Sequence, residues 1–155
     1  MKIIHVNEAF CIGCGLCRVH CLIEHSRSKD PVKAFKRESP RSLPRVRVEG
    51  KGETCFPVQC HHCAEPWCVY SCLTGAMQRN PLTGVVTADP DRCIGCGTCI
   101  VSCPCGALVK ESDNGTIVKC DLCPDRVTPA CVANCPNEAL VFSMDGEGAG
   151  VRRAG

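Results

Sequence analysis

The chain has 155 residues, of which 18 are cysteines and only 4% are aromatic, and its formal net charge at pH 7 is +2. This length fits one domain or two small ones, and no stretch approaches the ~18 apolar residues that a membrane helix requires. The scarcity of aromatic residues excludes a core filled mainly by such side chains. Cysteine at this density is typical of a disulfide scaffold or a metal-binding protein.

The N-terminal segment predicts a strand at KIIHV (2–6), followed by a first cysteine quartet: Cys11, Cys14, Cys17 and Cys21. A short helix is expected to begin just after the third of these cysteines. Glu8 stands where the hydrophobic region of a secretory signal would lie, so we expect a cytoplasmic protein. Thiols stay reduced in that compartment, where clustered cysteines bind metal more often than they form disulfides.

Residues 26–54 form one long insertion between the first and second quartets. Nine Lys or Arg and three acidic residues lie between residues 27 and 51, which gives this stretch a charge of +6. A strand is predicted at RVRVEG (45–50). The insertion is either a docking surface for a partner or a solvated loop that offsets negative charge elsewhere. Nucleic-acid binding is disfavoured because no aromatic residues alternate with the basic ones.

Three more quartets follow, and each is expected to start a short helix just after its third cysteine. They are Cys60, Cys63, Cys68 and Cys72 (C-x2-C-x4-C-x3-C), Cys93, Cys96, Cys99 and Cys103 (C-x2-C-x2-C-x3-C), and Cys120, Cys123, Cys131 and Cys135 (C-x2-C-x7-C-x3-C). Strands are predicted between and after them at residues 85–87, 115–119 and 139–143. The Gly-rich tail, 143–155, is expected to be flexible or bound to a partner.

The spacing of the first and third quartets points to iron–sulfur chemistry. C-x2-C-x2-C-x3-C is the cysteine run of bacterial ferredoxins, and Pro104 completes that signature after the third quartet. Three thiolates converge on one cubane only if the loop is tight, and the glycines of CIGCGLC (11–17) and CIGCGTC (93–99) suit such a loop. Loop N–H groups can also point at the cluster sulfurs.

Disulfides and zinc are the two alternatives for so many cysteines. A disulfide scaffold is disfavoured because there is no secretory signal and because the quartets are so similar. Structural zinc uses two Cys-x2-Cys pairs and does not call for a third cysteine two residues after the second. Zinc in place of a cluster at one of the two atypical quartets, the second or the fourth, remains an alternative.

The order of the quartets, together with CHHCAEPWCVYSC (60–72), resembles a known family. It is similar to the four-cluster ferredoxin-like subunits that partner formate dehydrogenase, dimethyl sulfoxide reductase, carbon monoxide dehydrogenase, hydrogenase and tungsten aldehyde oxidoreductases. The resemblance covers roughly residues 1–142. It implies an α+β fold with two pseudo-twofold ferredoxin-like lobes of short strands and helices around four [4Fe–4S] clusters.

The spacing alone allows neighbouring quartets to pair or the quartets to nest, and the resemblance implies nesting. The implied ligand sets are Cys11, Cys14 and Cys17 with Cys135; Cys120, Cys123 and Cys131 with Cys21; Cys60, Cys63 and Cys68 with Cys103; and Cys93, Cys96 and Cys99 with Cys72. One lobe would then contain residues 1–25 and 106–142, and the other residues 55–105, with 26–54 as the insertion.

Two cysteines and the histidines fall outside these sets. Cys55 and Cys105 are predicted not to be ligands, and Cys105 is interpreted as a small buried apolar residue. His61 and His62 lie beside ligands but are expected to pack or to donate hydrogen bonds to a cluster sulfur. Trp67 is expected to pack over a cluster.

A cubane with four cysteine ligands has no open coordination position, so the predicted function is electron transfer without a catalytic site. We expect a hetero-oligomer in which the chain connects a large catalytic oxidoreductase subunit to a second redox partner, a flavoprotein or ferredoxin. The favoured catalytic subunit is a tungsto- or molybdopterin enzyme such as aldehyde oxidoreductase. The alternatives are a carbon monoxide dehydrogenase, hydrogenase or formate dehydrogenase partner, or a free-standing polyferredoxin.

Overall fold

The computed structural model describes residues 3–51 and 54–143. Within them lie one 3-10 helix (Glu8–Phe10) and five α-helices: α1 (Leu16–Glu24), α2 (Pro31–Lys36), α3 (Trp67–Tyr70), α4 (Thr98–Val101) and α5 (Ala130–Ala133). The same residues form eight strands: β1 (Ile3–Val6), β2 (Arg47–Lys51), β3 (Thr54–Val58), β4 (Met77–Arg79), β5 (Val86–Ala88), β6 (Val109–Lys110), β7 (Ile117–Val118) and β8 (Leu140–Ser143). Such short helices and strands agree with the predicted mixed α+β class, whereas the division into two lobes stays a prediction.

Four of the helices begin at the cysteine quartets. Helices α1, α3, α4 and α5 each start one residue before the third cysteine of a quartet, slightly earlier than predicted. Gly15 and Gly97 occupy the N-cap positions of α1 and α4 with φ of +74° and +79°. This left-handed conformation costs an L-residue roughly 1–2 kcal/mol, so the second glycine of each CIGCG stretch turns the chain from cluster loop into helix.

The strands pair as four two-stranded antiparallel sheets: β1 with β8, β2 with β3, β4 with β5, and β6 with β7. In the β1–β8 sheet, Ile4 lies opposite Phe142, so the two ends of the described chain are side by side. The five strands predicted from the sequence correspond to β1, β2, β5, β7 and β8. Their pairing partners include three strands that were not predicted, β3, β4 and β6. The tail beyond Ser143 lies outside the described residues.

The basic insertion contains regular structure that the sequence analysis missed. Helix α2 is capped by Asp30, whose carboxylate accepts the N–H of Lys33 at 2.8 Å, and Pro31 occupies its first position. Strand β2 pairs with β3, so this hairpin spans the boundary predicted between residues 54 and 55. No helix in the described part of the chain is long and apolar enough to cross a membrane.

Cysteine side chains are part of the buried core, which divides into two clusters. The first consists of Ile4, Cys17, Cys21, Val46, Leu122, Cys131 and Leu140. The second consists of Met77, Val86, Cys99, Leu108 and Ile117. Leu108 and Ile117 fall in the stretch predicted for the outer lobe, yet they pack with the middle of the chain. The thiols thus occupy positions that aliphatic and aromatic side chains fill in most small domains.

Gly95 and Gly97 allow a matched test of the third cysteine loop. Both have positive φ, but a Cβ at Gly95 would lie 2.3 Å from the carbonyl oxygen of Gly115, whereas a Cβ at Gly97 would meet open space. We expect Gly97→Ala to lower the free energy of unfolding by about 1–2 kcal/mol through its backbone conformation alone. Gly95→Ala should lower it further, because the loop must also move away from Gly115.

The measurement is the thermal midpoint of each protein, purified and unfolded under anaerobic conditions. A lower midpoint for Gly95→Ala than for Gly97→Ala is the expected order. Equal midpoints for the two variants would contradict the close approach of the loop to Gly115.

Candidate metal centres

The sulfur of Cys17 lies among three others, one of them distant in sequence. Burial, together with repulsion from the neighbouring thiolates Cys135, Cys14 and Cys11, raises the pKa of Cys17 to about 11. All four cysteines line one pocket with an empty volume of about 340 Å³. We call these four the first group, and its fourth member comes from the last quartet.

The second group also draws on two quartets. Burial raises the pKa of Cys68 to about 11, and Cys60 and Cys103 add to the rise. Cys60, Cys63, Cys68 and Cys103 line a pocket with an empty volume of about 360 Å³. Three of these cysteines come from the second quartet, and Cys103 comes from the end of the third.

The third group is Cys93, Cys96, Cys99 and Cys72. Burial raises the pKa of Cys99, and repulsion from the thiolates of Cys72, Cys93 and Cys96 acts in the same direction. Cys96 is exposed, and a hydrogen bond from the hydroxyl of Thr98, at 3.4 Å, lowers its pKa. Cys72 lies two residues beyond Tyr70, the last residue of α3. Because α3 packs against α4, Cys72 lies close to the third quartet.

The fourth group is Cys120, Cys123, Cys131 and Cys21. Burial raises the pKa of Cys131, followed by repulsion from Cys120, Cys21 and Cys123. Burial also raises the pKa of Cys120, to about 12. Helix α1, which carries Cys21, packs against α5, which carries Cys131. This packing brings the fourth cysteine of the first quartet to the last quartet.

Thiols arranged in this way fit iron–sulfur clusters. Several thiolates cannot share a buried site without a compensating cation, because each raises the pKa of the others and burial penalises the charge. Iron supplies that charge, and four thiolates are the usual ligands of a [4Fe–4S] cluster. The glycine-containing loops of the first and third groups agree with a bulky group held by sulfur.

Backbone N–H groups point at cysteine sulfurs in the second, third and fourth groups. The donors and sulfurs are Arg45 to Cys21 at 3.2 Å, His62 to Cys60 at 3.4 Å, Met77 to Cys72 at 3.4 Å and Leu122 to Cys120 at 3.5 Å. The fourth group receives two of these bonds. Hydrogen bonds to cluster sulfurs stabilise negative charge and influence the reduction potential. The donors Arg45 and Met77 lie outside the cysteine loops, so cysteine spacing does not reveal them.

A polar network that the sequence analysis did not find surrounds the fourth group. Asp121 accepts hydrogen bonds from His25 Nε2 at 3.1 Å, from the guanidinium of Arg45 and from the N–H of Cys123 at 3.0 Å. Burial raises the pKa of Asp121, but these partners lower it to well below its usual range. Burial lowers the pKa of His25, and its bonds to Asp121 and Cys21 raise it to about 9. The network connects the end of α1, residue 45 and the loop that begins the last quartet.

A possible metal-ligand trio, His25, Asp121 and Cys123, lies within this network, with donor atoms within 4.8 Å of one another. The carboxylate of Asp121 is already occupied by His25 and Arg45. The trio is therefore part of the support for the fourth group.

His62 is buried beside the second group, where its ring is held by the backbone of β5. Its Nδ1 accepts the N–H of Val86 at 3.0 Å. Burial, followed by the charge of Lys119, lowers the pKa of His62 to about 3, so the ring is neutral and Nε2 carries the proton. Nε2 has no hydrogen-bond partner in the described structure, and the ring lines the pocket of the second group.

Trp67 lines the same pocket while remaining 59% exposed, with Tyr70 edge-on at 6.0 Å between ring centroids. His61 also lines this pocket and is exposed.

The two leftover cysteines occupy different environments. Cys55 lies on β3 against the first cysteine loop, where a Cβ at Gly13 would be 2.8 Å from its sulfur. Cys105 lies near the second group: burial raises its pKa, and Cys103, Cys63 and Cys60 contribute by repulsion. That neither residue is a ligand stays a prediction.

The fold and the crowded thiols define an iron–sulfur protein. The chain belongs to the 4Fe-4S dicluster domain family, whose model matches residues 53–145. It is 34% identical to the electron transport protein HydN of Escherichia coli K12 over 157 aligned positions, covering 90% of this chain and 86% of HydN. It is also 37% identical to UacF of the same strain, a protein named as an oxidoreductase, but spans only 22% of UacF.

Solved structures contain the same fold. A chain of the active site complex BamBC of benzoyl coenzyme A reductase matches with a TM-score of 0.52 and 26% identity, covering 92% of this chain and 76% of that one. Together, these relatives identify the chain as an iron–sulfur electron-transfer protein with [4Fe–4S] clusters, of the kind found in oxidoreductase complexes.

Proposed function

We propose that the chain holds four [4Fe–4S] clusters and relays electrons between a catalytic oxidoreductase subunit and a second redox partner. The proposed ligands are the sixteen cysteines of the four groups. The observation that carries the proposal is that each group combines three cysteines of one quartet with one cysteine of another. In the third group, for example, Cys99 lies near Cys93 and Cys96 of its own quartet and near Cys72 of the second quartet. Each completed cluster would have no open position for a substrate, so its role is to carry electrons.

From which groups lie close to one another, we infer that they follow in the order first, fourth, second, third, which we call the line. Cys17 of the first group is close enough to raise the pKa of Cys131 in the fourth, after the larger effects of burial and nearer thiolates. Cys60 of the second group raises the pKa of Cys120 in the fourth after burial, and does so more than Cys21 of the fourth group itself. The second and third groups are connected through α3, with Cys68 in the helix and Cys72 just beyond it. This order supports a single chain of four electron carriers.

The two ends of this line reach the surface, where partners would exchange electrons. Cys14 in the first group and Cys96 in the third are the exposed cysteines of the described structure, whereas Cys123 and Cys131 in the fourth group are buried. Each exposed cysteine lies two residues after an exposed isoleucine. The exposed fraction is 65% for Ile12 and 68% for Ile94. Electrons would therefore enter and leave through the two CIGCG loops, with the second and fourth groups as intermediates.

The favoured catalytic partner is a tungsto- or molybdopterin enzyme such as an aldehyde oxidoreductase. Support for a subunit comes from the match to a chain of the BamBC active site complex. The basic insertion, residues 26–54, would add a docking surface. HydN is named as an electron transport protein, which favours a second candidate, a free-standing polyferredoxin. Partners retained by the untagged native protein through anaerobic size-exclusion chromatography favour the subunit, whereas a persistent monomer favours the polyferredoxin.

The decisive measurement of cofactor content is anaerobic iron and acid-labile sulfide analysis with EPR of the reduced protein. Four cubanes predict about sixteen iron and about sixteen sulfide per chain. About eight of each would support two clusters only and contradict the proposed ligand sets. Zinc without sulfide would contradict iron–sulfur chemistry in this chain altogether.

A further inference from the structure

Lys119 is the single charged residue that is buried in the described ranges, 3–51 and 54–143, with 3% of its surface exposed. Its ammonium donates hydrogen bonds to the carbonyl oxygens of Val86 and, at 3.0 Å, Cys120. Within those ranges no carboxylate lies within ion-pair distance of its Nζ. A buried ammonium without a negative partner is unfavourable, and two carbonyl oxygens compensate it only in part. Its surroundings must supply further negative charge.

The hydrogen-bond partners of Lys119 identify the cysteine groups that supply this negative charge. Val86 accepts a hydrogen bond from Lys119 through its carbonyl oxygen and donates its N–H to His62, which lines the pocket of the second group. The other carbonyl partner belongs to Cys120 of the fourth group. Lys119 therefore lies between the two groups that occupy the middle of the line.

The influence of the ammonium reaches a sulfur in each of these groups. Val86, which accepts its hydrogen bond, lines the pocket of the second group together with Cys68, and Lys119 directly precedes Cys120 of the fourth group and donates to its carbonyl oxygen. The cysteines at the two ends of the line, Cys14 and Cys96, are exposed, so solvent screens the charges there.

We propose that Lys119 is a positioning residue. Its ammonium places one positive charge between the two inner clusters and raises the reduction potential of both. The inference rests on the proposed function, since it requires clusters at the second and fourth groups. Clusters held by the second and fourth groups would each carry one electron at a time, and Lys119 would exchange neither proton nor electron. A nearby cation favours the reduced form because reduction adds one negative charge to the cluster. It also weakens repulsion between two adjacent anionic clusters.

The test compares midpoint potentials of the loaded protein, obtained by anaerobic EPR-monitored titration with dithionite. Lys119→Met removes the charge and the donor, whereas Lys119→Gln removes the charge and keeps a donor. We expect both to lower the reduction equilibrium constant of two of the four clusters about tenfold, which is ~59 mV for a one-electron couple. The other two couples should not move. Lys36→Met, which removes a charge from an exposed position on α2, should leave all four unchanged.

Each further outcome decides the matter. Four unchanged potentials in a fully loaded Lys119→Gln protein would overturn the inference and leave Lys119 as a hydrogen-bond donor only. If neither neutral variant retains iron, Lys119→Arg decides: retained clusters support a need for charge, and loss of clusters shows that shape alone matters. A wild-type protein without about sixteen iron per chain contradicts the proposed function itself. A null result with fully loaded protein contradicts only the role of Lys119.

Discussion

Replacing Cys72 and Cys96 together with alanine will remove one cluster, whereas replacing Cys72 and Cys63 together will damage two. Cys72 lies close enough to Cys96 and Cys99 to repel the thiolates of both, so we propose that it belongs with them. The first pair of substitutions therefore removes two ligands from one cluster, and the second removes one ligand from each of two. Integration of the reduced [4Fe–4S] EPR signal should give about three clusters per chain for the first protein and about two for the second.

Pairing within the quartet would reverse these two results, so the comparison is decisive in either direction. Cys105→Ala is the matched control because Cys105 lies near Cys60, Cys63 and Cys103 and is predicted not to be a ligand. It should retain all four clusters. Loss of a cluster in this control would make Cys105 a ligand.

Removing the clusters by anaerobic chelation will unfold the chain. Buried cysteines are a substantial part of both core clusters, and only 4% of the residues are aromatic. Structural metal sites in small domains contribute on the order of 10 kcal/mol to folding. Because the stability of a domain is only about 5–15 kcal/mol, the apoprotein should lose its cooperative thermal transition. Circular dichroism and limited proteolysis of the apo and loaded forms measure this loss.

The control for chelation is reconstitution with ferrous iron, sulfide and a thiol reductant, which should restore the transition. An apoprotein that still unfolds cooperatively, at a midpoint close to that of the loaded protein, would contradict a structural role for the clusters.

Local features were predictable from the sequence because they depend on short-range spacing. The starts of α1 and α4 follow from the CIGCG stretches, whose second glycine adopts the left-handed conformation that precedes the helix. Strands β1 and β8 follow from apolar runs bounded by polar residues. Helix α2 also had a local signal, since Asp30 before Pro31 is a common helix start. The stretch was interpreted from its basic charge alone, so no helix was predicted there.

Features that depend on distant contacts could not be predicted. His25 had no motif of its own, and its role depends on Asp121, 96 positions away. Lys119 stands in a predicted strand with no sign that its side chain turns inward, and its partner Val86 is 33 positions away. Strands β4 and β6 are short and become recognisable only once β5 and β7 lie beside them.

The pairing of β1 with β8 also bears on how the protein is made. Residues Ile3–Val6 leave the ribosome well before their partner Leu140–Ser143. Until then Ile4 is uncovered, and Cys17 lacks its neighbour Cys135. The second and third groups have all their cysteines once Cys103 has emerged. We therefore expect the second and third groups to be completed before the first and fourth, and a nascent chain that stalls before residue 135 to expose an incomplete N-terminal segment to proteases.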